Sequence, residues 1–191
     1  VEMPVVNGIE ALKKIMKYCP TPVIMLSSMT EHGAVETIHA LESGAIDFVK
    51  KPSGTISLDL VKVKQDLLQK LIIAAQTNVF PQQIHKSNEM GRNTSARRDS
   101  GETGSKHLLA IGTSTGGPKA LQHVLSRFPA HFPAPILVVQ HMPPPFTKSL
   151  AARLNSLCDI QVVEAEHGTL IKPGTAYIAP GDWHMTLVQL N

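Results

Sequence analysis

Residues 107–121, HLLAIGTSTGGPKAL, decide the fold of the C-terminal part of this chain. The apolar run from His107 to Ile111 predicts a buried strand, and Pro118 is a good start signal for a helix that ends at Phe128. Ser114 would then lie on the sharp turn between strand and helix. Backbone N–H groups and the helix N-terminus favour developing negative charge at such a turn, which therefore suits a nucleophile.

The pattern continues to alternate between strand and helix beyond this turn, which predicts a parallel α/β sheet of Rossmann-like type. We expect, in chain order, a strand at Pro135 to Gln140, a helix at Phe146 to Leu157, a strand at Ile160 to Glu164, and two shorter strands at Thr175 to Ala179 and His184 to Leu190. The last two strands are separated by a turn at residues 180–182.

Residues 1–76 alternate in the same way and predict a second parallel α/β unit. Its expected helices are Gly8 to Lys17, Glu31 to Ser43 and Leu58 to Ala75, and its expected strands are Thr21 to Leu26 and Ala45 to Val49. Two parallel strands make a poor independent core. Because the chain also starts without a first strand and stops within a strand-like run, we expect it to be a piece cut at both ends.

Residues 77–106 separate the two units. They are poor in large apolar residues and rich in Ser, Thr, Asn, Gly and Arg, a composition typical of a linker. The sequence therefore divides into a partial unit at 1–76, a linker at 77–106 and a partial unit at 107–191.

Composition excludes several classes of protein. The 18 Lys and Arg residues are scattered and the net charge is only +3, so no nucleic-acid partner is expected. No apolar run reaches the roughly 18 residues that span a bilayer, so we expect a cytoplasmic protein without direct membrane insertion. Cys19 and Cys158 are expected to be reduced and buried. No HExxH motif or Cys/His cluster predicts a metal site.

His141 follows its strand just as Ser114 follows the strand before it, and 27 residues separate the two. In a right-handed parallel crossover, the loops that follow both strands lie on the same edge of the sheet. If the strands are neighbours, about 4.8 Å apart, a nucleophile at 114 and a general base at 141 come within reach of each other. The N–H of Thr115 and nearby amides are candidate oxyanion donors.

The acid that would orient the histidine is not assigned by the sequence. Asp159, Glu164, Glu166 and Asp182 are available, but Asp159 begins its strand at the wrong edge, and Asp182 lies in a turn that fits either edge. The remaining histidines considered as candidates are expected on the surface or in turns: His123, His131, His167 and His184.

A glycine-rich turn also has a non-catalytic interpretation. It could bind a phosphate, or pack a helix tightly on a sheet with Ser114 as the helix cap. A nucleotide site is disfavoured, because Gln140 and His141 stand where an acidic residue for a ribose would be expected. Finding Ser114 and His141 at one crossover interval favours catalysis.

Three segments carry a resemblance to a known family: AIGTSTGGPKAL (110–121), VVQHMPPPFTKSLAARL (138–154) and KPGTAYIAPGDWHM (172–185). They resemble the catalytic domain of the chemotaxis methylesterase CheB family. The resemblance implies Ser114 as nucleophile, His141 as base, Thr115 as the active-site threonine and no cofactor for catalysis. It also implies that the catalytic Asp lies in a later loop, beyond Asn191.

The N-terminal segments VEMPVVNGIE (1–10), VIMLSSMT (23–30) and GAIDFVKKP (44–52) resemble the C-terminal part of a response-regulator receiver domain, which has a flavodoxin-like fold. The resemblance implies that the Ser27 hydroxyl and the Lys51 cation support a phosphoryl group. Glu2 would offer its backbone carbonyl to magnesium, which the receiver needs for phosphorylation. The phosphorylated Asp and an acidic pair would precede Val1.

Together these resemblances imply a protein-glutamate methylesterase. It would hydrolyse glutamate methyl esters on methyl-accepting chemotaxis receptors, releasing methanol, and would deamidate receptor glutamines. Phosphorylation of the receiver by a chemotaxis histidine kinase would control it. The alternative is an inactive fragment that acts only as a phosphorylation-linked binding module, and weak or absent activity is expected of a chain without its orienting Asp.

Overall fold

The computed structural model of the chain describes residues 5–28, 30–51, 58–79 and 107–189. Helices and strands alternate along the described residues as far as β5, which β6 follows without an intervening helix. In chain order they are α1 (Gly8–Tyr18), β1 (Ile24–Ser27), α2 (Glu31–Glu42), β2 (Asp47–Lys50), α3 (Leu58–Ala75), β3 (Leu109–Thr113), α4 (Gly117–Leu125), β4 (Ile136–Gln140), α5 (Phe146–Leu157), β5 (Gln161–Glu164) and β6 (Thr175–Ile178). The predicted linker lies outside the described residues, apart from 77–79.

All the strand pairs are parallel. β1 pairs with β2, and the other four strands form a second sheet in the order β3-β4-β6-β5. The predicted α/β class is confirmed. None of the described helices is long and apolar enough to cross a membrane.

The helices begin in two different ways. Asn7 Oδ1 accepts the Glu10 N–H at 2.9 Å at the start of α1, and Thr30 Oγ1 accepts the Gly33 N–H at 3.0 Å at the start of α2. Such caps satisfy N–H groups that have no partner within the helix. By contrast, α4 begins after Gly116, whose φ of +74° is left-handed, and no side chain caps it. Ser114 is therefore not the helix cap that the alternative interpretation requires.

The core of the second sheet is built from alternate residues of β4 and from α5. Ile136 and Val138 point to one face of β4 and are fully buried, and Leu150 and Leu154 of α5 are 1% exposed. Period-two alternation in a strand places every second side chain on the same face. The third residue of this series on β4 is Gln140, which is also buried.

One apolar core includes residues from both parts of the chain. The Phe48 ring of β2 stacks on the Phe146 ring of α5, with centroids 4.5 Å apart and planes inclined by 26°. Nearby, Arg153 Nε donates to Glu42 Oε1 at 2.6 Å, which joins α5 to α2. The two units are thus packed together through β2, α2 and α5.

Two expectations from the sequence are wrong. No strand forms over residues 184–189, which pair with none of the described strands. Leu187 and Val188 of that segment are exposed. Cys19 is exposed at the end of α1, and Cys158 is only half-buried, so neither is the fully buried residue expected. Burial, followed by the nearby Asp159 carboxylate, raises the pKa of the Cys158 thiol.

Candidate active site

Ser114 and His141 meet at the edge of the second sheet where β3 and β4 end. The register pairs Thr113 with Gln140, so the next residue of each strand enters a neighbouring loop. The His141 N–H donates to the Thr113 carbonyl at 2.9 Å, and Ser114 Oγ lies 3.5 Å from His141 Nδ1. This distance is at the outer limit of a hydrogen bond, and catalytic contacts are often long in free enzymes. The expected meeting of the two side chains is confirmed.

The turn after Ser114 offers hydrogen-bond donors. The Gly117 N–H donates to the Ser114 carbonyl at 2.8 Å, which closes the turn. In the described part of the chain, the N–H groups of Thr115 and Gly116 donate to no other residue. They lie just before the N-terminus of α4, where the helix dipole is positive. The turn can therefore stabilise an oxyanion that develops beside Ser114.

Thr115 contacts the N-terminal unit. Its Oγ1 donates to Asp47 Oδ2 at 2.8 Å. The Asp47 carboxylate is 14% exposed, accepts the Phe48 N–H at 2.8 Å through Oδ1, and lies 3.6 Å from Lys70 Nζ. A carboxylate of one unit is thus held against the hydroxyl of the residue that follows Ser114 in the other. No local sequence pattern identifies Asp47, because the contact joins residues 68 positions apart.

Gln140 is a second residue of the site that sequence reasoning missed. Its Nε2 donates to the backbone carbonyls of Ser114 and His141, at 3.0 Å and 3.2 Å. The alternation of buried and less buried residues along β4 could have identified Gln140 from the sequence. A polar residue stands there in line with two buried apolar ones, Ile136 and Val138.

None of the four carboxylates considered from the sequence contacts the histidine. The side chain of His141 has Ser114 as its one polar partner among the described residues. Glu164 instead accepts a hydrogen bond from Thr147 Oγ1 at 2.6 Å. Asp182 lies at the same sheet edge as His141, since Gly181 packs directly on the backbone of residues 142–144, but it does not pair with the ring. Asp159 and Glu166 are exposed.

The candidate phosphorylation-site residues lie at the ends of β1 and β2. The Lys51 N–H donates to the Ser27 carbonyl at 2.7 Å, so the two strands bring these residues together. Ser27 is fully buried, and its Oγ donates to the Gly33 carbonyl at 3.1 Å and lies 2.6 Å from Thr37 Oγ1. The Lys51 side chain is exposed. Glu2 lies outside the described residues.

Two further expectations concern histidines and metals. His123, His131, His167 and His184 are all exposed, as expected. No three His, Cys, Asp or Glu side chains are grouped to hold a metal ion within residues 5–28, 30–51, 58–79 and 107–189. The described residues therefore do not supply a ligand set for the magnesium that the receiver resemblance implies.

Known proteins resemble this chain over its whole length. Residues 109–191 match the family described as CheB methylesterase. A protein of Oceanobacillus iheyensis, named protein-glutamate methylesterase/protein-glutamine glutaminase, is 49% identical over 97% of this chain and 53% of its own length. A protein of the same name from Halalkalibacterium halodurans is 50% identical over 100% of this chain and 54% of its own length. The chain thus spans about half the length of these curated relatives.

A solved structure is also similar in sequence. The catalytic domain of the Thermotoga maritima CheB methylesterase is 56% identical, over 44% of this chain and 44% of that structure, with a TM-score of 0.43.

Proposed function

The chain belongs to the CheB methylesterase family through residues 109–191, and we propose on this basis that it is part of a protein-glutamate methylesterase and protein-glutamine glutaminase. The observation that carries the proposal is the approach of Ser114 Oγ to His141 Nδ1 at the shared edge of β3 and β4. A serine beside a basic imidazole is the arrangement that acyl transfer needs.

The proposed reaction has two steps. His141 Nδ1 takes the proton from Ser114 Oγ as this oxygen attacks the carbonyl carbon of a glutamate γ-methyl ester. The N–H groups of Thr115 and Gly116 stabilise the oxyanion, and methanol leaves with the proton from His141. Water then hydrolyses the acyl-enzyme and restores the serine. With a glutamine side chain the leaving group is ammonia instead.

We propose methyl-accepting chemotaxis receptors as the substrates, on the strength of the family. Residues 5–79 are proposed as the C-terminal part of a receiver that a chemotaxis histidine kinase phosphorylates in the cytoplasm. Ser27 and Lys51 are its proposed phosphoryl contacts. Their positions at the ends of paired strands support this role. The buried Ser27 hydroxyl would have to exchange its bond to the Gly33 carbonyl for one to the phosphoryl group.

The N-terminal unit is further proposed to act as a cover over the esterase site. The support is the hydrogen bond from Thr115 to Asp47, together with the Phe48–Phe146 stack beside it. While Asp47 holds the Thr115 hydroxyl, a substrate side chain cannot use that donor. Phosphorylation of the receiver would shift the equilibrium away from this closed arrangement.

The test of the main proposal is methanol release from methylated receptor membranes by the protein expressed from the complete gene. Replacing Ser114 with Ala is expected to lower kcat on the order of 10⁶-fold, because it removes the nucleophile. A conservative change of an exposed residue away from the site, Lys172→Arg, should leave the rate unchanged. Methanol release by the Ser114→Ala variant at the wild-type rate would exclude this serine as nucleophile.

A second candidate function is favoured by one observation, the lack of a carboxylate partner for His141 within the described residues. In that case the chain is an inactive module that binds its partners without hydrolysing them. The same assay on residues 1–191 alone separates the two candidates, since a binding module would release no methanol even with Ser114 and His141 intact.

A further inference from the structure

The side chain of Gln140, the last residue of β4, lies between the loops that carry Ser114 and His141. Its Nε2 donates to the Ser114 carbonyl oxygen at 3.0 Å and to the His141 carbonyl oxygen at 3.2 Å. Its Oε1 accepts from Thr113 Oγ1 at 2.7 Å. One carboxamide therefore makes three hydrogen bonds, and two of them end on the backbone of the residues whose side chains face each other.

The neighbours of Gln140 permit only one orientation of its carboxamide. Carbonyl oxygens can only accept, so Ser114 and His141 require the –NH₂ end, and the Thr113 hydroxyl donates to the oxygen end. The reversed amide would place its oxygen against two other oxygens. The three partners together therefore fix the direction of the side chain.

Because Gln140 is buried, the loss of any of these hydrogen bonds would lower the stability of the folded protein. Gln140 is 5% exposed, so water cannot replace a missing partner. Gly117 provides the space for the carboxamide, because a Cβ at position 117 would overlap Gln140 Oε1 and come within 2.8 Å of Thr113 Cβ. The glycine of the turn and the glutamine of the next strand thus fit each other.

We infer that Gln140 is a positioning residue, which holds the Ser114 loop at a fixed distance from the His141 loop. The inference rests on the proposed function for its kinetic consequences. Ser114 Oγ and His141 Nδ1 are already 3.5 Å apart, so a small separation of the loops would break their contact. A displacement of about 1 Å in an active site can lower the rate about 10²-fold.

The test uses Gln140→Glu in the protein expressed from the complete gene. A protonated carboxyl can still donate to one of the two carbonyl oxygens, whereas an ionised carboxylate donates to neither. We expect kcat for methanol release to fall roughly ten- to hundredfold once the introduced carboxyl ionises, with KM unchanged. As the pH is lowered, the ratio of the variant's kcat to the wild-type kcat should rise.

Thr113→Val is the matched control, because it removes the hydroxyl that contacts Gln140 Oε1 and leaves both carbonyl bonds in place. Its kcat is expected to fall less than that of Gln140→Glu, and the ratio to the wild-type kcat should not change with pH, because valine does not titrate. A Gln140→Glu ratio that does not change with pH, or one that the Thr113→Val ratio matches at every pH, would overturn the inference.

A crystal structure of a Gln140→Met variant gives a readout that needs no activity. The two loops should separate, so that Ser114 Oγ and His141 Nδ1 lie farther apart than the 3.5 Å of the wild type. An unchanged distance would refute the positioning role. Failure of the wild type to release methanol would count against the proposed function alone, since this distance would still decide the role of Gln140.

Discussion

At the scale of single residues, the missing side chain at position 117 controls how closely the turn approaches β4. We predict that Gly117→Ala destabilises the protein by about 1–3 kcal/mol, because the new methyl group collides with buried groups of Gln140 and Thr113. Urea unfolding of the variant and the wild type measures the difference. Methanol release should fall as well, since the collision moves the backbone beside Ser114.

Gly112→Ala is the control for this change. It lies in the same segment, and a Cβ there would meet nothing within 4 Å. We expect its free energy of unfolding to stay within about 0.5 kcal/mol of wild type, as for an exposed surface change. Equal destabilisation by both variants would show that any added methyl in this segment is harmful, and would contradict the proposed collision.

The residues of the site differ in how far the sequence predicts them. Ser114 and His141 follow consecutive parallel strands, so one crossover rule is enough to place them together. Asp47 reaches the site only through packing between the two units, which no local period encodes. Gln140 was visible as the polar end of an apolar strand, but its two carbonyl partners depend on the final shape of both loops.

At the scale of elements, Thr147 in the first turn of α5 connects this helix to β5 and to the turn after β6. Its hydroxyl donates to Glu164 of β5 and accepts the Gly181 N–H, from the turn after β6, at 3.0 Å. Thr147 is fully buried. We predict that Thr147→Val destabilises the protein by about 1–3 kcal/mol, because Gly181 and Glu164 both lose a buried partner. Thermal or urea unfolding measures this loss.

Thr147→Ser keeps the hydroxyl and removes only a methyl group. The free energy of unfolding of this variant is expected to be about 1 kcal/mol lower than that of the wild type, because less apolar surface is buried. If the serine variant is the less stable of the two, packing of the methyl group would matter more than the hydrogen bonds.

The element that the sequence predicted wrongly is also explained at this scale. The apolar residues in 184–189 resemble a strand when read alone. A strand also needs a neighbour to pair with, and residues 184–189 pair with none of the described strands. Local pattern thus predicted the strands that have partners, and failed for a segment that has none in the described part of the chain.

At the scale of the whole molecule, the contact between Thr115 and Asp47 connects the two units at the site. We predict that Asp47→Ala raises methanol release by the unphosphorylated protein roughly three- to tenfold, because the closed arrangement loses a hydrogen bond to a charged acceptor. Phosphorylation should then stimulate the variant less than the wild type. Both rates are measured in the assay on methylated receptor membranes.

Asp66→Ala controls for the ion pairs of Lys70. The Asp66 carboxylate lies 3.4 Å from the same Lys70 Nζ but does not touch Thr115. The Asp66→Ala variant is expected to release methanol at the basal rate of the wild type. A basal rate in Asp47→Ala no higher than in Asp66→Ala would contradict the role of this contact as a cover.

The stacked rings of Phe48 and Phe146 have a consequence for separating the two units. Phe48 is 3% and Phe146 0% exposed in the intact chain, so parting the units would bring the stacked faces of both rings into water. A cut within residues 77–106 that lets the units part would therefore leave an apolar patch on each, which favours association with other apolar surfaces.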